Sequence, residues 1–289
     1  MDDNWKHESW QLSLASRLFP LSTRRMQFFD GCTALITGAS SGIGLEFVRQ
    51  LAPHASTLIL VARRLDRLEA LKGELDRPGL TVHCHAADLG DEVQIEALIA
   101  ALAASGEHVS LLVNNAGLGD HGLFERSDWA RVNAMIDVNI KSLTRLTHAL
   151  LPDLIRAGRG AILNVSSIAS FLPIPKMAVY AATKAYVTSL SEALRAELRG
   201  TGVSVTALCP GPVDTEFVAV AERGDSRDAL PAPEAFKVPV QQVVREALHA
   251  VERDRARVIP GWLIWAVMSI TALVPIWFLR IFLTKRREE

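Results

Sequence analysis

Seven short runs of β-branched and other apolar residues, separated by segments of helical periodicity, constrain the fold of this 289-residue chain more than any other feature. The runs are "CTALIT" (32–37), "STLILVA" (56–62), "TVHCHA" (81–86), "SLLV" (110–113), "AILNVS" (161–166), "VSVTALC" (203–209) and "RVIP" (257–260). Between them, residues 43–52, 64–76, 91–104, 128–157, 179–199 and 240–253 repeat apolar side chains at the spacing of one helix face. Strands apolar at successive positions need cover on both faces, and strands joined by helices run parallel through right-handed crossovers. The expected fold is α/β: a Rossmann-like, doubly wound, seven-stranded parallel sheet with helices on both faces.

The repeat fills residues 30–260, read as one catalytic domain. It leaves an N-terminal extension, 1–29, and an apolar tail, 261–289; five of the six tryptophans lie in these ends, at Trp5, Trp10, Trp262, Trp265 and Trp277. With 31 Lys plus Arg against 32 Asp plus Glu there is no basic surplus, so nucleic acid is not an expected partner. Cys32, Cys84 and Cys209 lack metal-ligand spacing and read as buried free thiols of a reducing compartment; no metal site is expected. The opening "MDDNWKHESW" has no apolar core of signal-peptide length, so no secretory signal is expected.

Directly after the first run comes "TGASSGIG" (37–44), at the strand-to-helix turn where a dinucleotide pyrophosphate binds in such folds. Gly38 suits the tight turn, Gly42 lets phosphates approach the backbone, and Gly44 lets helix and sheet pack closely; the helix start offers free N–H groups. The spacing is Gly-x-x-x-Gly-x-Gly, unlike the commoner Gly-x-Gly-x-x-Gly. Farther on, "YAATK" (180–184) sets a tyrosine and a lysine four residues apart with only small residues between. Residues i and i+4 share a helix face, so Tyr180 and Lys184 project together.

These motifs, with "NNAG" (114–117), resemble the short-chain dehydrogenase/reductase family in the family's own order from residue 32 to about 260. The resemblance implies an oxidoreductase with a catalytic set of Asn139 (in "DVNIKS"), Ser167, Tyr180 and Lys184. Ser166 is the alternative serine, less favoured by its spacing from Tyr180. Ser167 and Tyr180 would polarise a carbonyl oxygen, Tyr180 would donate its proton, and Lys184 with a water on Asn139 would resupply it. Lys184 would also hold the nicotinamide ribose and lower the phenol pKa. On the cofactor side the resemblance implies Gly38, Ser40, Ser41, Gly42, Ile43 and Gly44 around the phosphates, and Asp88 and Leu89 near the adenine. Asn115, Ala116 and Gly117 would line the adenosine side, with Pro210, Gly211, Val213 and Thr215 of "CPGPVDT" beside the nicotinamide.

Where an acid would bind the ribose hydroxyls of NAD, the second strand ends in "VARRLDR". Guanidinium forks suit a 2′-phosphate, so NADP(H) is the expected cofactor, with Arg63 the first choice of clamp, Arg64 beside it and Ser40 or Ser41 assisting; the alternative is that these arginines are the solvated start of a helix, one of them neutralised by Asp66. Residues 216–239 read as a substrate lid.

From Ile259 to Leu279 there are 21 residues without Asp, Glu, Lys, Arg or His, followed by Arg280 and by Lys285, Arg286 and Arg287. Pro275 divides the stretch into pieces too short to span a bilayer. Two readings stand: an element on the cytoplasmic side of a membrane, peripheral or tail-anchored, or a lid or dimer-contact helix of a soluble cytoplasmic protein. The expected substrate is a small hydrophobic carbonyl or alcohol of fatty-acyl, sphingoid, sterol or retinoid type, and the expected assembly a homo-oligomer. A membrane-associated binding or scaffold protein on an inactive dehydrogenase fold is the alternative, against which the complete catalytic set argues.

Overall fold

The structure, a computed structural model, describes residues 27–221, 236–271, 273–275 and 278. The expected N-terminal extension up to residue 26, most of the expected lid (222–235) and the tail's basic residues lie outside the described residues. Seven strands, β1 (Thr33–Thr37), β2 (Thr57–Ala62), β3 (Thr81–Ala86), β4 (Leu111–Asn114), β5 (Gly160–Val165), β6 (Val203–Leu208) and β7 (Arg257–Val258), form one parallel sheet in the order β3-β2-β1-β4-β5-β6-β7. The order reverses between β1 and β4, so the crevice above their carboxyl ends is the place where a ligand binds in this architecture.

The two-sided cover predicted from the strand composition is visible residue by residue. On β1, Ile36 belongs to one apolar layer and its neighbour Leu35 to the other; on β2, Leu58 and Leu60 face the first layer and Ile59 and Val61 the second. The first layer is closed by α1 (Gly42–Leu51) and by α8 (Val240–Glu252), through residues such as Phe47, Leu51, Val243 and Leu248. The second is closed by α3 (Glu92–Ser105) and α5 (Leu143–Ala157), through Ile95, Leu98, Leu146 and Leu154. The remaining crossover helices are α2 (Leu65–Glu74) and α6 (Ala178–Glu197). Phe29, placed by sequence in the N-terminal extension, is fully buried in the first layer.

Three features depart from the expected pattern. The helix expected over 128–157 is α4 (Trp129–Ile136), then a π-helical segment (Asp137–Ser142), then α5. Apolar spacing does not register one wider turn inside a long helix, and such turns recur at functional sites. Within the expected lid a short helix forms, α7 (Glu216–Ala221). The tail begins as α9 (Trp262–Thr271), whose Ile264 and Met268 are 2% and 8% exposed and join the first layer. The boundary drawn at residue 260 thus runs through a packed contact.

Candidate active site

The glycine turn is held in shape by β4. The Thr37 hydroxyl accepts hydrogen bonds from the backbone N–H groups of Asn115 (2.9 Å) and Ala116 (3.0 Å) and donates to the Val113 carbonyl (3.3 Å). The Asn115 amide donates to the carbonyls of Thr37 (2.8 Å) and Gly38 (3.3 Å). Asn115 is thus a staple between two strand ends. Gly38 has φ 66°, a left-handed conformation that other residues rarely adopt. A Cβ on Gly44 would lie 2.1 Å from the Gly38 carbonyl oxygen, so no larger residue fits while this turn keeps its form.

Above the carboxyl ends of the strands runs one cleft of about 860 Å³. Every residue singled out above as catalytic or cofactor-binding lines it except Gly44 and Asn139, which stand behind its wall. Arg64 lies there within hydrogen-bond reach of Ser40 and Ser41, and the same cleft is lined by Arg63, Asp88 and Leu89, by Ile43, Ala116 and Gly117, by Ser167, Tyr180 and Lys184, and by Pro210, Val213 and Thr215, the last against Gly42.

The i, i+4 spacing on α6 brings Tyr180 and Lys184 together as expected: the lysine Nζ is 5.8 Å from the phenol ring centroid, and both side chains are buried. Lys184 donates to the Val165 carbonyl at 2.8 Å, which uses one of three ammonium donors. Burial pushes its pKa down to about 8, against a small upward pull from Cys209. The expectation that this ammonium lowers the tyrosine pKa does not hold in this geometry. Burial pushes the Tyr180 phenol up to about 12, and the only downward pull is its side-chain hydrogen bond with Ser167. Desolvating a phenolate costs more here than that bond returns, so at neutral pH Tyr180 is a protonated donor.

The two serines separate by partner. Ser166 donates to the Lys184 carbonyl at 2.9 Å and lies 2.6 Å from the Thr188 hydroxyl, so its hydroxyl is spent on α6. Ser167 bonds Tyr180 and accepts from the Ala169 N–H at 3.1 Å. Asn139 sits in the π-helical segment, where its Oδ1 accepts from the Leu118 N–H (2.8 Å) and its Nδ2 donates to the Leu118 carbonyl (2.9 Å) and the Thr183 hydroxyl (3.0 Å). Both amide donors are committed to protein. Asn139 therefore fastens the loop after β4 to α6, and a water at this position would have to be held through its backbone.

In the same cleft Arg63 is exposed and has no partner among the described residues, and Asp66 pairs with neither arginine there. Arg64 is engaged, donating to Ser40 Oγ (3.3 Å), Ser41 Oγ (3.2 Å) and Glu216 Oε2 (3.0 Å); Arg67 reaches the other carboxylate oxygen at 2.7 Å. Sequence reasoning missed Glu216 and its neighbour Phe217, whose ring centroid is 5.6 Å from that of Tyr180. The wall formed by Ile264, Val267 and Met268 of α9 falls on the tail's reading as a lid helix, in which these residues are not named. The i, i+4 pair Ile264 and Met268 was available as a signal; nothing local marks Glu216 as a partner of Arg64, 152 residues away.

Comparison with known proteins identifies the family. A family model described as short chain dehydrogenase matches residues 32–225. Sulfoacetaldehyde reductase of Chromohalobacter salexigens is 46% identical over 204 residues, covering 68% of this chain and 78% of that protein. An NADP-dependent 3-hydroxy acid dehydrogenase of Salmonella typhi is 40% identical over 200 residues, covering 68% of this chain and 78% of that one. A short-chain dehydrogenase from Sphingobium yanoikuyae, solved in complex with NADPH, superposes with a TM-score of 0.75 at 32% identity, over 89% of this chain and 97% of its own. The chain belongs to the short-chain dehydrogenase family.

Proposed function

We propose that this oxidoreductase uses NADP(H) to interconvert a carbonyl and an alcohol on a hydrophobic substrate, with Tyr180 as the acid/base group. The observation that carries the reading is the meeting of Ser167, Tyr180 and Lys184 on one wall of the cleft that begins at the glycine turn. The residues present fit the dinucleotide. The positive φ values at Gly38 and Gly42 and the absent side chain at Gly44 make a cradle that a Cβ would distort, and Arg63 offers an uncommitted guanidinium in the same cleft. When bound, NADP(H) supplies or accepts the hydride. Ser167 and the protonated Tyr180 hold the carbonyl oxygen by two hydrogen bonds, and Tyr180 delivers the proton as the oxygen gains charge. Lys184, with donors beyond the one used on Val165, holds hydroxyls in the cleft beside the tyrosine.

Substrate preference is read from the α9 wall. Ile264, Val267 and Met268 from α9, with Phe217 and Phe236, give the cleft an apolar lining suited to a long or cyclic hydrocarbon body. The outer face of α9 is also apolar: Trp262 is 66%, Trp265 53% and Ile270 66% exposed, and Leu273 beyond it 84%. Among the described residues no helix is long and apolar enough to cross a membrane. An interfacial seat, with tryptophans at the headgroups and the basic residues Arg280, Lys285, Arg286 and Arg287 following in sequence, agrees with these facts and makes a membrane surface the proposed partner.

The test is a panel of carbonyl compounds offered with NADPH, read by loss of nicotinamide absorbance and running from long-chain and cyclic ketones to small acidic aldehydes. Preference for the apolar members is expected. A kcat/KM highest on the small acids, the compounds named in the Chromohalobacter and Salmonella relatives, would refute the hydrophobic-substrate reading. Flotation with phosphatidylserine vesicles, weakened by Trp262→Ser with Trp265→Ser, tests the membrane seat.

A further inference from the structure

Of the arginine pair that lines the cleft, Arg64 is already bonded to an acid from the segment after β6. Glu216 opens α7, the helix whose next residue, Phe217, packs on the Tyr180 ring. Its carboxylate bridges Arg64 (3.0 Å) and Arg67 (2.7 Å), and both contacts hold its pKa below the usual carboxylate range, Arg67 more strongly. Both Arg64 and Glu216 line the cleft. Two guanidinium nitrogens of Arg64 are thereby directed, one to Glu216 and one to Ser40 and Ser41. An arriving 2′-phosphate meets Arg63 without competition but must share Arg64 with a carboxylate of its own sign.

We propose that Glu216 competes with the cofactor's 2′-phosphate for Arg64, and so sets how strongly this enzyme favours the phosphorylated nucleotide. The inference rests on the cofactor reading above. Arg67 supplies the way out: it bonds the other carboxylate oxygen, so Glu216 can stay neutralised on Arg67 while Arg64 turns to the phosphate. The far end of α7 is fastened by the Arg131 guanidinium to the Val220 carbonyl (2.9 Å) and by the His121 N–H to the Ala221 carbonyl (3.0 Å). The near end, which carries Phe217, keeps the Glu216–Arg67 pair and the bond from the Phe217 N–H to Thr215 Oγ1 (3.4 Å), so turning Arg64 to the phosphate removes only one of its ties.

The test is fluorescence titration of NADPH and NADH against the full chain, Glu216→Gln, Arg64→Ala and the double variant, with Glu216→Ala as a second version of the first change. Removing the competing charge should tighten NADPH by about two- to fivefold, the range an exposed ion pair supports, and leave NADH unchanged. In the Arg64→Ala background the gain should vanish. Weaker NADPH binding by both Glu216 variants would show that the carboxylate positions Arg64 for the phosphate, and would overturn the proposal. So would no change, or a gain that survives loss of Arg64, which long-range repulsion alone would give. If the unmodified protein does not bind NADPH more tightly than NADH, the cofactor reading itself fails; a clear NADPH preference with an inert Glu216 refutes this inference alone.

Discussion

If α9 is seated on the Pro210–Gly211 turn, Gly211 and Ile264 should behave as one packing unit. A Cβ built on Gly211 lies 2.4 Å from Ile264 Cδ1, while the next carbons, Cγ1 and Cγ2, are 3.5 and 3.6 Å away. Gly211 is not among the positive-φ glycines, so its backbone accepts alanine. Gly211→Ala alone forces the tip of Ile264 aside, and overpacking of this kind costs about 1–3 kcal/mol, here near the low end because the clashing atom ends a flexible chain. Ile264→Val alone removes that tip from a buried site and costs about 0.5–1.5 kcal/mol. Together the alanine methyl enters the space the tip vacates and meets only carbons at ordinary contact distance. The double variant should then be more stable than the two losses predict, with a coupling of about 1 kcal/mol or more in its favour. Urea unfolding of the four proteins, read by tryptophan fluorescence with m held common, measures it. Additivity within about 0.5 kcal/mol would refute the seating of α9, because residues that do not touch add to within that margin.

Two further outcomes are expected. Arg63→Ala should raise KM for NADPH much more than for NADH, since a charge-assisted pair is lost only with the phosphorylated form; equal effects in steady-state kinetics would make Arg63 structural. Lys184 has a folded pKa of about 8 against an ordinary 10.5, so the unfolded chain binds more protons between those values and stability should rise with pH across that window. Thermal midpoints of the unmodified protein should therefore gain on those of Lys184→Met from pH 8 to 10, and a constant difference would place the ammonium in a solvated setting.

The sheet was legible because two-sided burial writes itself as continuous apolar runs: Leu58 to Val61 must be apolar at every position when alternate residues enter different layers. The Tyr180–Lys184 pairing was legible because it depends on helix geometry over one turn. Its electrostatics were not, since spacing says that two groups meet but not how far water is excluded from them, and exclusion dominates both pKa values. The π-helical turn under Asn139 was hidden for a related reason: one wider turn shifts the register without altering which residues are apolar. Glu216 was out of reach because its partners come from another crossover unit, and a surface carboxylate carries no mark of the arginine it will meet.

The reading of the cleft as a site of carbonyl–alcohol interconversion stands or falls on the phenol of Tyr180. Tyr180→Phe keeps the ring against Phe217 and beside Lys184 and removes only the proton donor. With a substrate found in the carbonyl panel, kcat for the variant should fall by about a hundredfold or more, while NADPH bound in fluorescence titration keeps nearly its original affinity. A Tyr180→Phe enzyme that retains most of its turnover would contradict the account.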